Sequence, residues 1–308
     1  MNKKTKSNNS LNDIHKKAEN FSRGEEIANF VSHTVGAGLA VLAFLILTIR
    51  ASWTRDIGTV ASFMAFGFGL IVLYTMSSIY HGLNPGTAKM IFEIFDHSAI
   101  YILIAASYTP FLYLVVNSPM NKIILAIQWT VCVLGIVFKV FFTGKFKMLS
   151  TLLYLIMGWM IVFAWNDLVS NINRVSLIYL IAGGVLYSLG TIFYSWKICK
   201  FNHMIWHIFV ILGSISHFFA VYFLVYALVF GGILLIISYS ADDFMTAFSA
   251  VAATFNNIGP GLGKVGPAFS FAELNNFSKV ILSFGMLAGR LEIFPMLILF
   301  SPTTWKLK

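Results

Sequence analysis

Long apolar runs separated by short polar segments organise this chain. The apolar stretches cover residues 27–49, 58–80, 91–116, 122–142, 149–165, 175–195 and 203–228. Each is close to the ~20 residues that a helix needs to cross a hydrocarbon core of ~30 Å. The pattern predicts an all-α bundle of seven transmembrane helices. Turn residues at Gly82–Pro85 and Asn117–Pro119 mark two of the short connections. Residues 1–26 are polar and rich in Lys and Asn, and a flexible cytoplasmic tail is expected there.

The pattern changes after residue 226. The seventh apolar run continues to Ile237, so a helix over 204–238 would be ~50 Å long, more than one span needs. Gly231-Gly232 is the expected break. A Gly/Pro-rich segment, Asn256-Asn257-Ile258-Gly259-Pro260-Gly261-Leu262-Gly263, follows, and then a last apolar segment at about 277–300. The expected division is a tail (1–26), a seven-span domain (27–226) and a separate C-terminal module (227–308).

Composition agrees with the class. Of 308 residues, 58% are hydrophobic and only 11% charged, and the mean hydropathy is +0.81. Soluble domains carry roughly 25% charged residues. A net charge of +9 could suggest a nucleic-acid partner, but basic residues also collect on the cytoplasmic loops of membrane proteins. Cys132 and Cys199 are the only cysteines, too few for a disulfide framework or a thiolate metal site. No cleavable leader pattern is evident in the first residues.

The basic residues also set an orientation. With the N-terminus inside, the inner segments hold Lys3, Lys4, Lys6, Lys16, Lys17, Arg23, Lys89, Lys139, Lys145, Lys147, Lys197 and Lys200, and the outer ones only Arg50, Arg55, Lys122 and Arg174. A cytoplasmic N-terminus follows from the positive-inside rule. It places four ionisable residues near one depth: His81 at the end of span two, Asp96 about two turns into span three, and His203 and His207 at the start of span seven.

Ionisable groups are costly in lipid and by default mark a site. His203 and His207, four residues apart, share one helix face and can share a metal ion. The bland alternative is an interfacial pair bonded to head groups or backbone. Three imidazoles leave a catalytic zinc ion one open position for water, whose pKa falls to ~7. Asp96 would hydrogen-bond that water, act as general base, or ligate directly. Ser77, one turn before His81, would orient the water or polarise a carbonyl, unless it only caps its own helix. His217 is ~15 Å further along the helix than His207 and is too far to join. His33 and His97 are possible neighbours of the site; Glu93, Tyr101 and Tyr108 read as packing or interfacial residues, and His15 lies in the tail.

The stretches EEIANFVSHTVGAGLA (25–40), SSIYHGL (77–83), FDHSAIYILIAASYTP (95–110) and HMIWH (203–207) resemble the haemolysin III family, the bacterial branch of the progestin and adipoQ receptor group. The resemblance implies a seven-helix bundle with zinc held near the cytoplasmic face by His81, His203 and His207. It also implies that Asp96 contacts the metal's water and that Ser77 is the serine of the Ser-x3-His pattern. The wider superfamily includes alkaline ceramidases, so a hydrolase acting on a membrane lipid amide is the implied activity. A non-catalytic receptor or regulator of lipid state and a pore-forming cytolysin are the alternatives.

TAFSAVAATFNNIGPGLG (246–263) and SKVILSFGMLAGRLEIFP (278–295) resemble a Trk/Ktr-type potassium transporter subunit. The implied module is a partial helix, a pore loop at 246–263 with Gly259 as filter glycine, and a helix at 277–300. Four such repeats surround one filter in that family, and one quarter of a carbonyl ring cannot encircle a dehydrated cation. Potassium transport is therefore not expected. The whole describes a multi-pass protein of the bacterial inner membrane.

Overall fold

The computed structural model describes residues 21–290 apart from 117, 144, 197, 198, 242, 257 and 269. The described residues form helices and contain no strand. They run α1 (Arg23–Ser52), α2 (Ile57–Gly82), α3 (Thr87–Leu114), α4 (Met120–Phe142), α5 (Lys147–Trp159), a 3-10 turn (Met160–Ala164), α6 (Trp165–Asn171), α7 (Arg174–Ser195), α8 (Asn202–Ser240), α9 (Phe244–Phe255) and α10 (Asn276–Arg290). Among the described residues seven segments are long and apolar enough to cross a membrane, with α5–α6 forming one of them and Asn202–Leu224 of α8 the last. The protein is an all-α polytopic membrane protein.

Local chemistry sets the helix starts. Ser22 and Glu25 form a capping box at α1: the Ser22 hydroxyl accepts from the Glu25 amide, and the Glu25 carboxylate accepts from the Ser22 amide at 2.9 Å. Asn173 caps α7 by accepting from the Ser176 amide at 2.8 Å. At α2, Asp56 accepts from the Thr59 hydroxyl at 2.6 Å and its amide at 2.8 Å, and Tyr113 donates to its other oxygen at 3.3 Å.

The Thr59 hydroxyl and then its amide hold the Asp56 carboxyl below its ordinary value. A depressed folded pKa means a contribution that is present above the unfolded value near 3.8 and lost as pH falls through the lower folded one. Asn also caps helices, so Asp56→Asn isolates the charge. Thermal unfolding is expected to show wild type above this variant at pH 7 and the two together near pH 3. Equal gaps at both pH values would remove this role for the charge.

The described residues fall into two compact units that divide after Leu224. In the first, α1 packs on α2, α2 on α3 and α3 on α4. Small residues allow close helix approach, as in membrane bundles generally. A Cβ on Gly36 would lie 2.6 Å from the Tyr74 ring, one on Gly67 would lie 2.9 Å from the Phe44 backbone, and one on Gly69 2.9 Å from the Ala106 Cβ. Tyr74, on α2, reaches α8, where its hydroxyl donates to Ser214 at 2.6 Å; Ser214 also bonds the Tyr187 hydroxyl of α7 at 2.8 Å.

Span five departs from the simple expectation of one helix over 149–165. The helix tightens into a 3-10 turn at Met160–Ala164 before resuming as α-helix. Backbone groups freed in lipid need other partners, and side chains supply them. The Tyr108 hydroxyl donates to the Gly158 carbonyl at 2.7 Å and accepts from the Ile161 amide at 2.9 Å. Gln128 donates to the Met157 carbonyl at 2.7 Å.

The break expected at Gly231-Gly232 is not there; both glycines lie inside α8, which runs to Ser240. Each glycine costs a helix interior only about 1 kcal/mol relative to Ala, and the apolar residues around them sustain the helix. In the second unit, α9 is followed by a loop that folds back on it. Ser249 donates to the Leu262 carbonyl at 2.9 Å, and the Lys264 amide donates to Thr246 at 3.1 Å. Gly259 and Gly263 have φ of 105° and 61°, the region that glycine enters most easily. Ser240 and Ser278 meet at 2.6 Å. Of the helix expected at 277–300, the part beyond Arg290 lies outside the described residues.

Candidate metal centre

His81 ends α2, and His203 and His207 occupy the first turns of α8. The two helix ends bring the three imidazoles together. Ring centroids lie 5.1 Å apart for His81–His203, 5.2 Å for His81–His207 and 4.6 Å for His203–His207. One nitrogen from each ring lies within 4.8 Å of the others. The start of α8 is anchored by Asn202, which donates to the Phe193 and Trp196 carbonyls at the end of α7. The Phe21 ring packs against the group, 4.8 Å from His203 and 5.8 Å from His81.

The donor chemistry fits a metal ion. The Nε2 atoms of His81, His203 and His207 are all buried and find no hydrogen-bond partner among the described residues. Buried polar atoms are nearly always paired, and three unpaired imidazole nitrogens in one place are what a cation satisfies. Zinc binds such nitrogens at ~2.0–2.1 Å in a tetrahedron, so two ligands sit ~3.4 Å apart.

Other side chains surround the three rings. His81 Nδ1 lies 2.7 Å from the Glu26 carboxylate of α1, and Glu26 also pairs with Lys89 at 2.9 Å. His207 Nδ1 lies 3.0 Å from the Ser32 hydroxyl. His33 stacks on His207 with centroids 3.4 Å apart, and both of its nitrogens are buried without a partner among the described residues.

Ser77 is fully buried one turn before His81, and its hydroxyl likewise has no partner among the described residues. Asp96 is buried on α3 and is not one of the three-residue group. It lies within electrostatic reach of Tyr80 and Tyr194, whose rings flank His81 at 4.6 Å and His203 at 6.2 Å. His97 bonds its own helix through the Glu93 carbonyl at 2.7 Å, and His217 bonds the Leu180 carbonyl at 3.3 Å. His15 lies outside the described residues.

Glu26, Ser32 and Lys89 are the participants that sequence reasoning passed over as site residues. Lys89 counts there as a charge of the inner segments, yet it is buried in α3, where it donates to the Tyr80 and Leu83 carbonyls at 2.9 and 3.1 Å. Lys139, counted the same way, is buried in α4 and donates to Ser150 at 2.8 Å. The available signal was the spacing of Glu26, Asn29 and His33, which puts three polar residues on one face of an apolar helix.

A cavity of about 120 Å³ opens beside the site within the first unit. Its lining is mostly apolar and includes His33, Leu73, Leu103, Leu155, Trp206 and His217. It reaches the candidate centre through His33, which stacks on His207, and through Trp206.

Fold and site together define a polytopic α-helical membrane protein with a buried three-imidazole centre at the meeting of two helix ends. The chain belongs to the haemolysin III family. The family described as "Haemolysin-III related" matches residues 21–218. "Hemolysin-3" of Bacillus cereus is 44% identical over 201 residues, 65% of this chain and 92% of that protein. The "Hemolysin-3 homolog" of Bacillus subtilis is 42% identical over 66% of this chain and 95% of its own length. The C-terminal part is similar to something else. A family described as "Cation transport protein" matches residues 202–307, so the two matches overlap in α8. "Trk system potassium uptake protein TrkH" of Vibrio parahaemolyticus is 51% identical over 28% of this chain but only 17% of that protein. No solved structure matches the chain.

Proposed function

We propose that this protein is a zinc-dependent integral membrane hydrolase that cleaves a lipid amide or ester, with its N-terminus on the cytoplasmic side of the bacterial inner membrane. The observation that carries the reading is the trio of buried, unpartnered Nε2 atoms. His81, His203 and His207 would hold the ion. When bound, zinc supplies Lewis acidity and brings the pKa of a water towards ~7.

The protein's own groups do the rest. Asp96 accepts the proton of the attacking water, a role that suits a buried carboxylate within electrostatic reach of Tyr80 and Tyr194, which flank the histidines. Ser77 donates its free hydroxyl to the substrate carbonyl and stabilises charge developing on that oxygen. The apolar cavity takes an acyl chain and keeps bulk water out. The substrate enters from the inner leaflet. The C-terminal unit supplies one pore-loop repeat and is given no transport role.

Metal analysis of the purified protein, with turnover of ceramide and phospholipid in mixed micelles, tests the reading. One zinc per chain with release of fatty acid is the expected result, and Asp96→Asn should retain zinc while losing at least ~100-fold in rate, the usual contribution of a positioned proton acceptor. Zinc without turnover of any lipid would instead support a regulator of lipid state. Lysis of dye-loaded liposomes without turnover would support a cytolysin.

A further inference from the structure

We propose that α1, which contributes no ligand, sets the tautomers of the candidate metal centre through Glu26 and Ser32, so that His81 and His207 each present a bare Nε2 lone pair. The inference rests on the metal reading above and adds positioning residues to it.

The hydrogen-bond inventory leads there. Glu26 divides its oxygens: Oε1 takes Lys89 at 2.9 Å and Oε2 takes His81 Nδ1 at 2.7 Å. Lys89 spends its other donors on the Tyr80 and Leu83 carbonyls, so it holds the carboxylate in one rotamer at the end of α2. A carboxylate only accepts, so His81 Nδ1 carries a proton, and the neutral ring that can bind a metal ion keeps its lone pair on Nε2. That Nε2 is the buried atom left without a partner.

Ser32 reaches the same result by a different route. Its hydroxyl has one proton, which it donates to the Asn29 carbonyl at 2.9 Å. Towards His207 Nδ1, 3.0 Å away, it can then only accept. With the hydroxyl proton on the Asn29 carbonyl, the His207 proton sits on Nδ1 and Nε2 is the bare, buried atom. Two different acceptors on one helix thus give the same tautomer to rings on α2 and α8. Partners of this kind orient metal-binding imidazoles and raise their basicity, and their loss typically costs 10–100-fold in metal affinity.

Chelator competition with zinc on the full-length protein tests this, with cobalt absorption as a second readout. Glu26→Ala is expected to weaken zinc 10–100-fold at unchanged stoichiometry and to shift the cobalt d–d bands, with Ser32→Ala moving in the same direction. Glu26→Gln keeps shape and an acceptor, and a smaller loss is expected. It decides the matter where Glu26→Ala does not fold. A Glu26–Lys89 pair with a purely structural role would lower the melting temperature of the metal-free protein but leave zinc affinity within twofold of wild type and the cobalt spectrum unmoved. That result would overturn the positioning role. A different result overturns the metal reading itself: wild type binding zinc no more tightly than a variant with all three histidines replaced by alanine.

Discussion

Replacing His207 with alanine should weaken zinc binding by roughly 10²–10³-fold. Zinc sites in small folded peptides are worth roughly 10–16 kcal/mol, so one ligand of three or four carries about 3–4 kcal/mol, which converts to that range at about 1.4 kcal/mol per factor of ten. His207 is the most enclosed of the three, with no exposed surface, and Ser32 already occupies its Nδ1. Alanine there removes one of the three unpartnered Nε2 atoms and opens the stack with His33. His217→Gln is the control, because His217 lies on the same helix, bonds the Leu180 carbonyl and is not in the group. The measurement is chelator competition in detergent. Stoichiometric zinc at wild-type affinity in His207→Ala would show that the group does not hold the ion.

The second large effect is in packing. Gly67→Val should destabilise the bundle by about 1–3 kcal/mol, the usual cost of overpacking. The upper end is expected because the obstructing atom is backbone. A Cβ at Gly67 meets the Phe44 Cα at 2.9 Å and the Phe44 Cβ at 3.1 Å, and α1 would have to move away from α2. The consequence reaches the site, since α1 carries Glu26 and Ser32 and α2 carries Ser77 and His81. Gly38→Ala is the comparison: it has nothing within 4 Å of the new methyl and removes the cost of glycine in a helix, about 1 kcal/mol. Thermal unfolding in detergent should place Gly67→Val well below wild type and Gly38→Ala at or above it. Equal melting of Gly67→Val and wild type would mean that the close approach of α1 and α2 is not required.

Much of this was legible in the chain. Hydropathy placed all seven spans, because a lipid-facing helix must be apolar over a length set by the bilayer. The polar exceptions in those spans pointed to His81, His203 and His207, since an imidazole in lipid needs a compensating partner. The structure brings these three into one group. The local 3-10 turn after Trp159 was not legible, because its support comes from Tyr108 and Gln128 on other helices. The uninterrupted passage through Gly231-Gly232 was misjudged for a related reason. Glycine lowers helix propensity by a small, fixed amount, and here the neighbouring residues outweigh it.

Charge was the least readable property. Lys89 and Lys139 count in the sequence as charges of the inner segments, but both are buried on helices and donate to other residues of the bundle. Glu26 looks like an ordinary acidic residue in a helix's first turn, where it would favour the helix dipole. What makes it different is a lysine on α3 and a histidine on α2, residues 63 and 55 positions away.

The sequence by itself determined the class of protein, the number of spans, the family and the three histidines, because each of these follows from residue type and spacing along one chain. Only the tertiary structure decided which nitrogens of His81 and His207 meet a hydrogen-bond partner from α1. That depends on acceptors from α1 meeting rings from α2 and α8, and a hydrogen bond between helices leaves no periodic trace in the sequence of either one.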